Sequence, residues 1–116
     1  MSREETVRAY YRAVDAADYD ALAALLAPEF VHDRPDRTLD GRDAFVRFMR
    51  EERPRTDTAH RLDAVYASVD AAVPEVVARG RLLGDDGEEL FGFSDVFRFA
   101  SGDANAAVDH LTTYTD

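Results

Sequence analysis

The run Glu89-Leu90-Phe91-Gly92-Phe93-Ser94-Asp95-Val96-Phe97-Arg98-Phe99 alternates its large apolar residues with period two. A β-strand turns successive side chains to opposite faces, so Phe91, Phe93, Phe97 and Phe99 share one side of the chain, and Asp95 shares it with them. Rings in phase mark that side as the driest face of a sheet. An unpaired carboxylate is costly there, so such a group is hydrogen-bonded, held protonated, or part of a site. Asp95 is the first candidate for chemistry.

The same period extends on both sides of this run. Arg61 to Val69, Glu75 to Leu83, Glu88 to Ala100 and Asn105 to Tyr114 are strand candidates separated by turn-forming segments at 70–74, 84–87 and 101–103. An antiparallel meander is predicted. Ahead of His60 the period is helical instead. Ser2 and Glu5 have the spacing of a capping box, and Val7, Tyr10, Tyr11 and Val14 follow on one face of a helix that runs to about Ala16. Asp18 caps a second, short helix with Tyr19, Leu22, Leu25 and Leu26 inward, closed by Pro28. Glu29 to Arg34 reads as a short strand and Pro35 to Asp40 as a polar loop. Asp43 to Glu52 reads as a third helix, with Phe45, Phe48 and Met49 inward and Pro54 as its stop. Helices gathered before a run of hairpin strands predict an α+β fold: three N-terminal helices packed on one face of a strongly curved antiparallel sheet.

A chain of 116 residues suits one domain spanning 1–116. No apolar run approaches the roughly 20 residues of a membrane span, and the N-terminus reads as a charged helix start, so a cytoplasmic protein without membrane contact is expected. The absence of cysteine excludes disulfides, thiolate metal sites and a cysteine nucleophile. Twenty-four acids, 16 of them Asp, stand against 14 bases, all Arg, for a net charge of −10. Short carboxylates without lysine resemble the acidic surfaces of salt-adapted proteins, which points to a halophilic, haloarchaeal source. GC-rich coding, consistent with 19 alanines, gives the same bias. Such a surface repels nucleic acid.

His32, His60 and His110 lack metal-site spacing and the glycines form no phosphate-cradling loop, so neither a metal nor a cofactor is expected. His110, in phase with Val108, Thr112 and Tyr114, is the histidine best suited to act as a base.

Three segments carry a resemblance over nearly the whole chain: 17–31 (Ala-Asp-Tyr-Asp-Ala-Leu-Ala-Ala-Leu-Leu-Ala-Pro-Glu-Phe-Val), 41–48 (Gly-Arg-Asp-Ala-Phe-Val-Arg-Phe) and 94–99 (Ser-Asp-Val-Phe-Arg-Phe). Their order resembles the cone-shaped α+β fold of nuclear transport factor two, ketosteroid isomerase and the SnoaL-type polyketide cyclases. That scaffold hosts isomerases, cyclases, hydratases, epoxide hydrolases and non-catalytic binders. Asp95 is similar to the strand aspartate that the isomerase holds protonated as a donor to an enolate, and to the acid/base aspartate of the cyclases. Tyr10 falls at the isomerase's oxyanion tyrosine. The position of the isomerase base falls on Arg34, with Asp33 one place early and on the opposite strand face. A bulge after Val31 would return Asp33 to the pocket. Arg79 or Arg81 stands where the cyclases have a histidine. Of an epoxide-hydrolase Asp-Arg-Asp set, Arg79 and Asp109 resemble two members and Arg81 replaces the third.

The resulting expectation is a pocket for a small, mostly apolar molecule on which a proton is transferred. Asp95, Tyr10 and His110 are the candidate catalytic groups, and Arg34, Asp33, Phe93, Phe97 and Tyr66 the candidate ligand contacts. The alternative is a non-catalytic ligand-binding or dimerisation module, a homodimer joined through a sheet face carrying Tyr66, Val108 or Leu111.

Overall fold

A computed structural model of the chain describes residues 1–53, 55–69 and 72–116. Its elements are α1 (Arg3–Asp15), α2 (Tyr19–Ala24), β1 (Leu26–Asp33), β2 (Thr38–Asp40), α3 (Arg42–Glu51), β3 (Ala59–Ala67), β4 (Glu75–Leu83), β5 (Glu89–Phe99) and β6 (Val108–Thr115). The predicted α+β order is present. The expected helix stop at Pro54 and part of the turn at 70–74 lie outside the described residues.

The capping box starts α1 as the sequence implies: the Glu5 N–H donates to the Ser2 hydroxyl at 3.1 Å, and the Ser2 N–H to the Glu5 carboxylate at 3.0 Å. Asp18 caps α2 by accepting the Ala21 N–H at 3.1 Å. That helix ends at Ala24, short of the expected Pro28, because the sheet captures the chain: the Val108 N–H donates to the Leu25 carbonyl at 3.0 Å. Pro28 instead sits exposed within β1, where pairing with β6 shifts register between Leu26 and Val31. A residue without an N–H is tolerated at such an interruption.

The sheet order is β2-β1-β6-β5-β4-β3. β3 to β6 form the predicted meander. β1, however, joins β6 in parallel, and Thr38 to Asp40 of the expected polar loop pairs with β1 as a short antiparallel strand. The all-antiparallel expectation is corrected there, since strand order is decided by helix packing and leaves no mark in local periodicity. Register shifts in four pairings bend the sheet around the helices. Gly80 lies at one of them, where a Cβ would stand 2.0 Å from the Arg61 carbonyl oxygen.

The core between helices and sheet contains Phe30, Phe45, Phe97, Leu22 and Val7, all fully buried. On β5 the predicted alternation holds for Phe93, Asp95, Phe97 and Phe99, all buried, while Phe91 near the strand's start is 38 % exposed. Val108 and Leu111, expected on an exposed contact face, are buried. The shift between Arg98 and Phe99 sets Val108 opposite Phe99 and Leu111 opposite Phe97, both turned inward. Among the described residues no helix is long and apolar enough to cross a membrane.

Candidate functional site

A cavity of about 300 Å³ lies between the helices and the inner sheet face. Val14, Met49, Leu82, Phe91 and Phe93 give it apolar walls; Tyr10, His32, Arg34, Arg53, His60, Asp95 and Thr113 give it polar ones. Asp95, 5 % exposed, is the single carboxyl among its lining residues.

Two hydroxyls hold that carboxyl. Tyr11 of α1 donates to Oδ2 at 2.5 Å, and Thr113, directly opposite on β6, donates to Oδ1 at 2.6 Å. His32 Nε2 lies 2.8 Å from the Thr113 hydroxyl. Because Thr113 spends its hydrogen on Asp95, the facing imidazole nitrogen is the donor, and its Nδ1 is left buried without a partner among the described residues. Burial, reinforced by the adjacent Arg34 charge, lowers the His32 pKa to about 3, so this ring is neutral. Burial raises the Asp95 pKa above its ordinary 3.8; the Thr113 and Tyr11 hydrogen bonds and the nearby His60 and Arg34 charges oppose that shift without cancelling it. Burial and then the Asp95 charge raise the Tyr11 pKa, which keeps it a phenol and a donor.

His60 lines the same space and belongs to a second polar pair. Asp15, at the end of α1, grips His60 twice: Nδ1 lies 2.7 Å from Oδ1, and the His60 backbone N–H donates to Oδ2 at 3.0 Å. The ring rests 5.0 Å from Tyr11 and 5.4 Å from Phe93, centroid to centroid. In the neutral imidazole this grip keeps the proton on Nδ1 and leaves the Nε2 lone pair open.

Asp95, Tyr10, Arg34 and Phe93 line one cavity. The donor on Asp95, however, is Tyr11 and not Tyr10. Neighbours on a helix point about 100° apart, and α1 is rotated so that Tyr11 reaches the carboxyl while the Tyr10 ring packs 5.2 Å from Phe97. The Tyr10 hydroxyl has no hydrogen-bond partner among the described residues and remains free for a ligand. Phe97 is fully buried core beneath the tyrosines and does not line the cavity.

The choice between Asp33 and Arg34 resolves toward Arg34. The irregularity of β1 falls before Val31, so Phe30 and His32 point inward, Arg34 continues their phase into the cavity, and Asp33 turns out. His110 also leaves the site: Leu111 and Thr113 occupy the inward phase of β6, and the His110 Nε2 lies 2.8 Å from the Asp33 Oδ2 outside the cavity. Tyr66 is 54 % exposed on the outer face, where its hydroxyl accepts from Arg79 at 3.5 Å. Arg79 and Arg81 line an outer groove of about 330 Å³ with Tyr114 and Asp116, away from the buried network. Among the described residues no three His, Cys, Asp or Glu side chains gather to hold a metal ion.

Sequence reasoning did not assign roles to Tyr11, Thr113, His32, His60 or Asp15. The alternation Phe30, His32, Arg34 was a usable signal for His32. Asp15 and His60, separated along the chain and joined only by folding, left none.

The SnoaL-like domain model matches residues 7–107. The chain belongs to the SnoaL-like family. No curated protein matches it. Among solved structures, an NTF2-like protein of unknown function from Cytophaga hutchinsonii is similar at 13 % identity with a TM-score of 0.78, covering 100 % of this chain and 91 % of that one. A proposed ketosteroid isomerase from Kribbella flavida shares 19 % identity with a TM-score of 0.71, covering 97 % and 76 %. The Anabaena orange carotenoid protein binding canthaxanthin shares 20 % identity with a TM-score of 0.76, covering 93 % of this chain and 35 % of its own length. At these identities the likeness concerns the SnoaL-like fold alone.

Proposed function

We propose that this SnoaL-like chain binds a small, mostly apolar molecule in its inner cavity and moves a proton on it, with Asp95 as acid and His60 as base. The observation that carries this reading is Asp95: a buried carboxyl with a raised pKa, the one acid lining the cavity, anchored by Tyr11 and Thr113. On an enolisable carbonyl compound, the His60 Nε2 takes the proton α to the carbonyl and Asp15 stabilises the imidazolium. The electron pair moves to the carbonyl oxygen, which accepts from protonated Asp95 and from Tyr10. Where the substrate carries a β,γ-double bond, the electron pair of the dienolate takes the proton back at the γ-carbon as the oxygen re-forms its carbonyl, and the double bond has moved into conjugation. Preorganised donors in a water-poor cavity contribute several kcal/mol to such an oxyanion. Tyr11 and Thr113 are positioning residues that fix the carboxyl. The fold's use in a proposed ketosteroid isomerase and in a carotenoid binder supports both halves of this reading.

The test is deuterium exchange at the α-carbon of a panel of small ketones in D₂O, followed by NMR. Exchange by the native chain should fall about 10²–10⁴-fold in Asp95→Asn and in His60→Gln. Ketone binding by the native chain without exchange above background would remove the catalytic half and leave a ligand-binding module. Tyr66 and Tyr114, both exposed on the outer face, favour a second role as a contact between two copies. A monomer by light scattering at all accessible concentrations would dismiss it.

A further inference from the structure

In a chain of net charge −10, the cavity collects cations: Arg34, Arg53 and Arg55 line it with a single carboxyl. Arg55 is already neutralised by a two-pronged contact with Asp57 at 3.0 and 3.1 Å. Arg34 is paired only in part, and Arg53 has no carboxylate partner among the described residues. Arg34 commits only Nε, at 3.2 Å, to Asp36, a carboxylate shared with Arg37 at 3.3 Å. Its guanidinium lies 5.0 Å over the Phe48 ring, and its terminal nitrogens have no partner among the described residues. Arg53 reaches only the Val14 carbonyl, at 3.4 Å, and its Nε is buried with no partner among the described residues. Both line the cavity that Tyr10 also lines, and both charges oppose the rise that burial and the Asp95 charge impose on the pKa of its hydroxyl.

A partly buried guanidinium whose charge is incompletely paired is costly, and its planar fork matches a carboxylate better than any neutral group. We propose that Arg34 and Arg53 form an anion-binding subsite, and that the cavity's ligand is a small organic acid whose carboxylate lies between them and whose apolar body rests on Phe91, Phe93 and Leu82. The proposal rests on the cavity being the ligand site and adds the ligand's charge class. A volume of about 300 Å³ is at the small end of ligand pockets. It suits a body of one ring or a short chain. His32, made neutral by burial, adds no competing charge.

The test is calorimetric titration of the full chain, at about 0.15 M salt, with 3-phenylpropanoate and its neutral near-isostere 3-phenylpropanamide. The native chain should prefer the carboxylate by about tenfold or more. Arg34→Gln and Arg53→Gln should each weaken the carboxylate by about tenfold and the amide by less than about threefold. Arg79→Gln, on the outer face, should change neither. Arg34→Lys and Arg53→Lys keep the charge and should retain part of the preference, so a glutamine variant that fails to fold does not end the test. Equal affinity of the native chain for the two probes overturns the subsite while leaving the cavity a binding site. Equal loss of both probes in the glutamine variants overturns it as well. Binding of neither at about 10 mM counts against subsite and cavity together. A carboxylate preference without α-proton exchange upholds the subsite while the catalytic reading falls.

Discussion

Asp95 on the inner sheet face and Asp33 on the outer one each have two polar partners, and their acidities move in opposite directions. Asp95 accepts from Tyr11 and Thr113; Asp33 accepts from Thr38 at 2.9 Å and pairs with His110 at 2.8 Å. For Asp33 the Thr38 hydrogen bond and then the His110 contact lower the pKa, and solvent reaches a side chain that is 42 % exposed. For Asp95 burial outweighs every partner and raises it. The number of hydrogen bonds does not separate the two residues. The loss of water does, and it makes one carboxyl an acid candidate and the other a surface ion.

The comparison is broken most severely by hollowing the core on which the inner face rests. Phe97→Ala should cost about 3–5 kcal/mol by denaturant unfolding, whereas Tyr66→Ala on the outer face should stay within about 1 kcal/mol. Next is acid sensitivity. The folded pKa of His32 lies near 3 against an ordinary 6.5, so its contribution to stability is complete above 6.5 and is lost as pH falls toward 3. His32→Gln should flatten the melting curve across that window. Tyr11→Phe leaves a buried acceptor short of a donor and should cost about 1–3 kcal/mol, while Thr38→Val, beside Asp33, should change stability too little to resolve. The finest contrast is one of slope. Because the folded state holds the Asp95 proton more tightly, the native chain should lose stability relative to Asp95→Asn as pH rises above 3.8. Relative to Asp33→Asn it should gain as pH rises toward 3.8 from below, by a small, salt-screened amount that is complete above that value. Parallel curves would mean that the two carboxyls share one environment.

Period-two patterning read β5 and its inward carboxyl directly from the chain, and the Ser2–Glu5 pair marked the start of α1. These are local properties, written into neighbouring residues. The parallel docking of β1 on β6, the rotation of α1 that selects Tyr11 over Tyr10, and the meeting of Asp15 with His60 all depend on how distant elements seat on one another. His110 was misplaced for a related reason: the register shift after Arg98 changes the phase of β6, so a residue grouped with Val108 by simple alternation ends on the other face. Arg34 was legible as a position, but its lack of a full anionic partner emerged only once the cavity closed around it.

The most direct measurement is a ¹³C NMR titration of the Asp95 and Asp33 side-chain carboxyls in the native chain, at a salt concentration that holds it folded throughout. The account predicts an Asp95 midpoint above 3.8 and an Asp33 midpoint below it. An Asp95 midpoint at or below that of Asp33 would contradict the claim that burial on the inner face creates the acid.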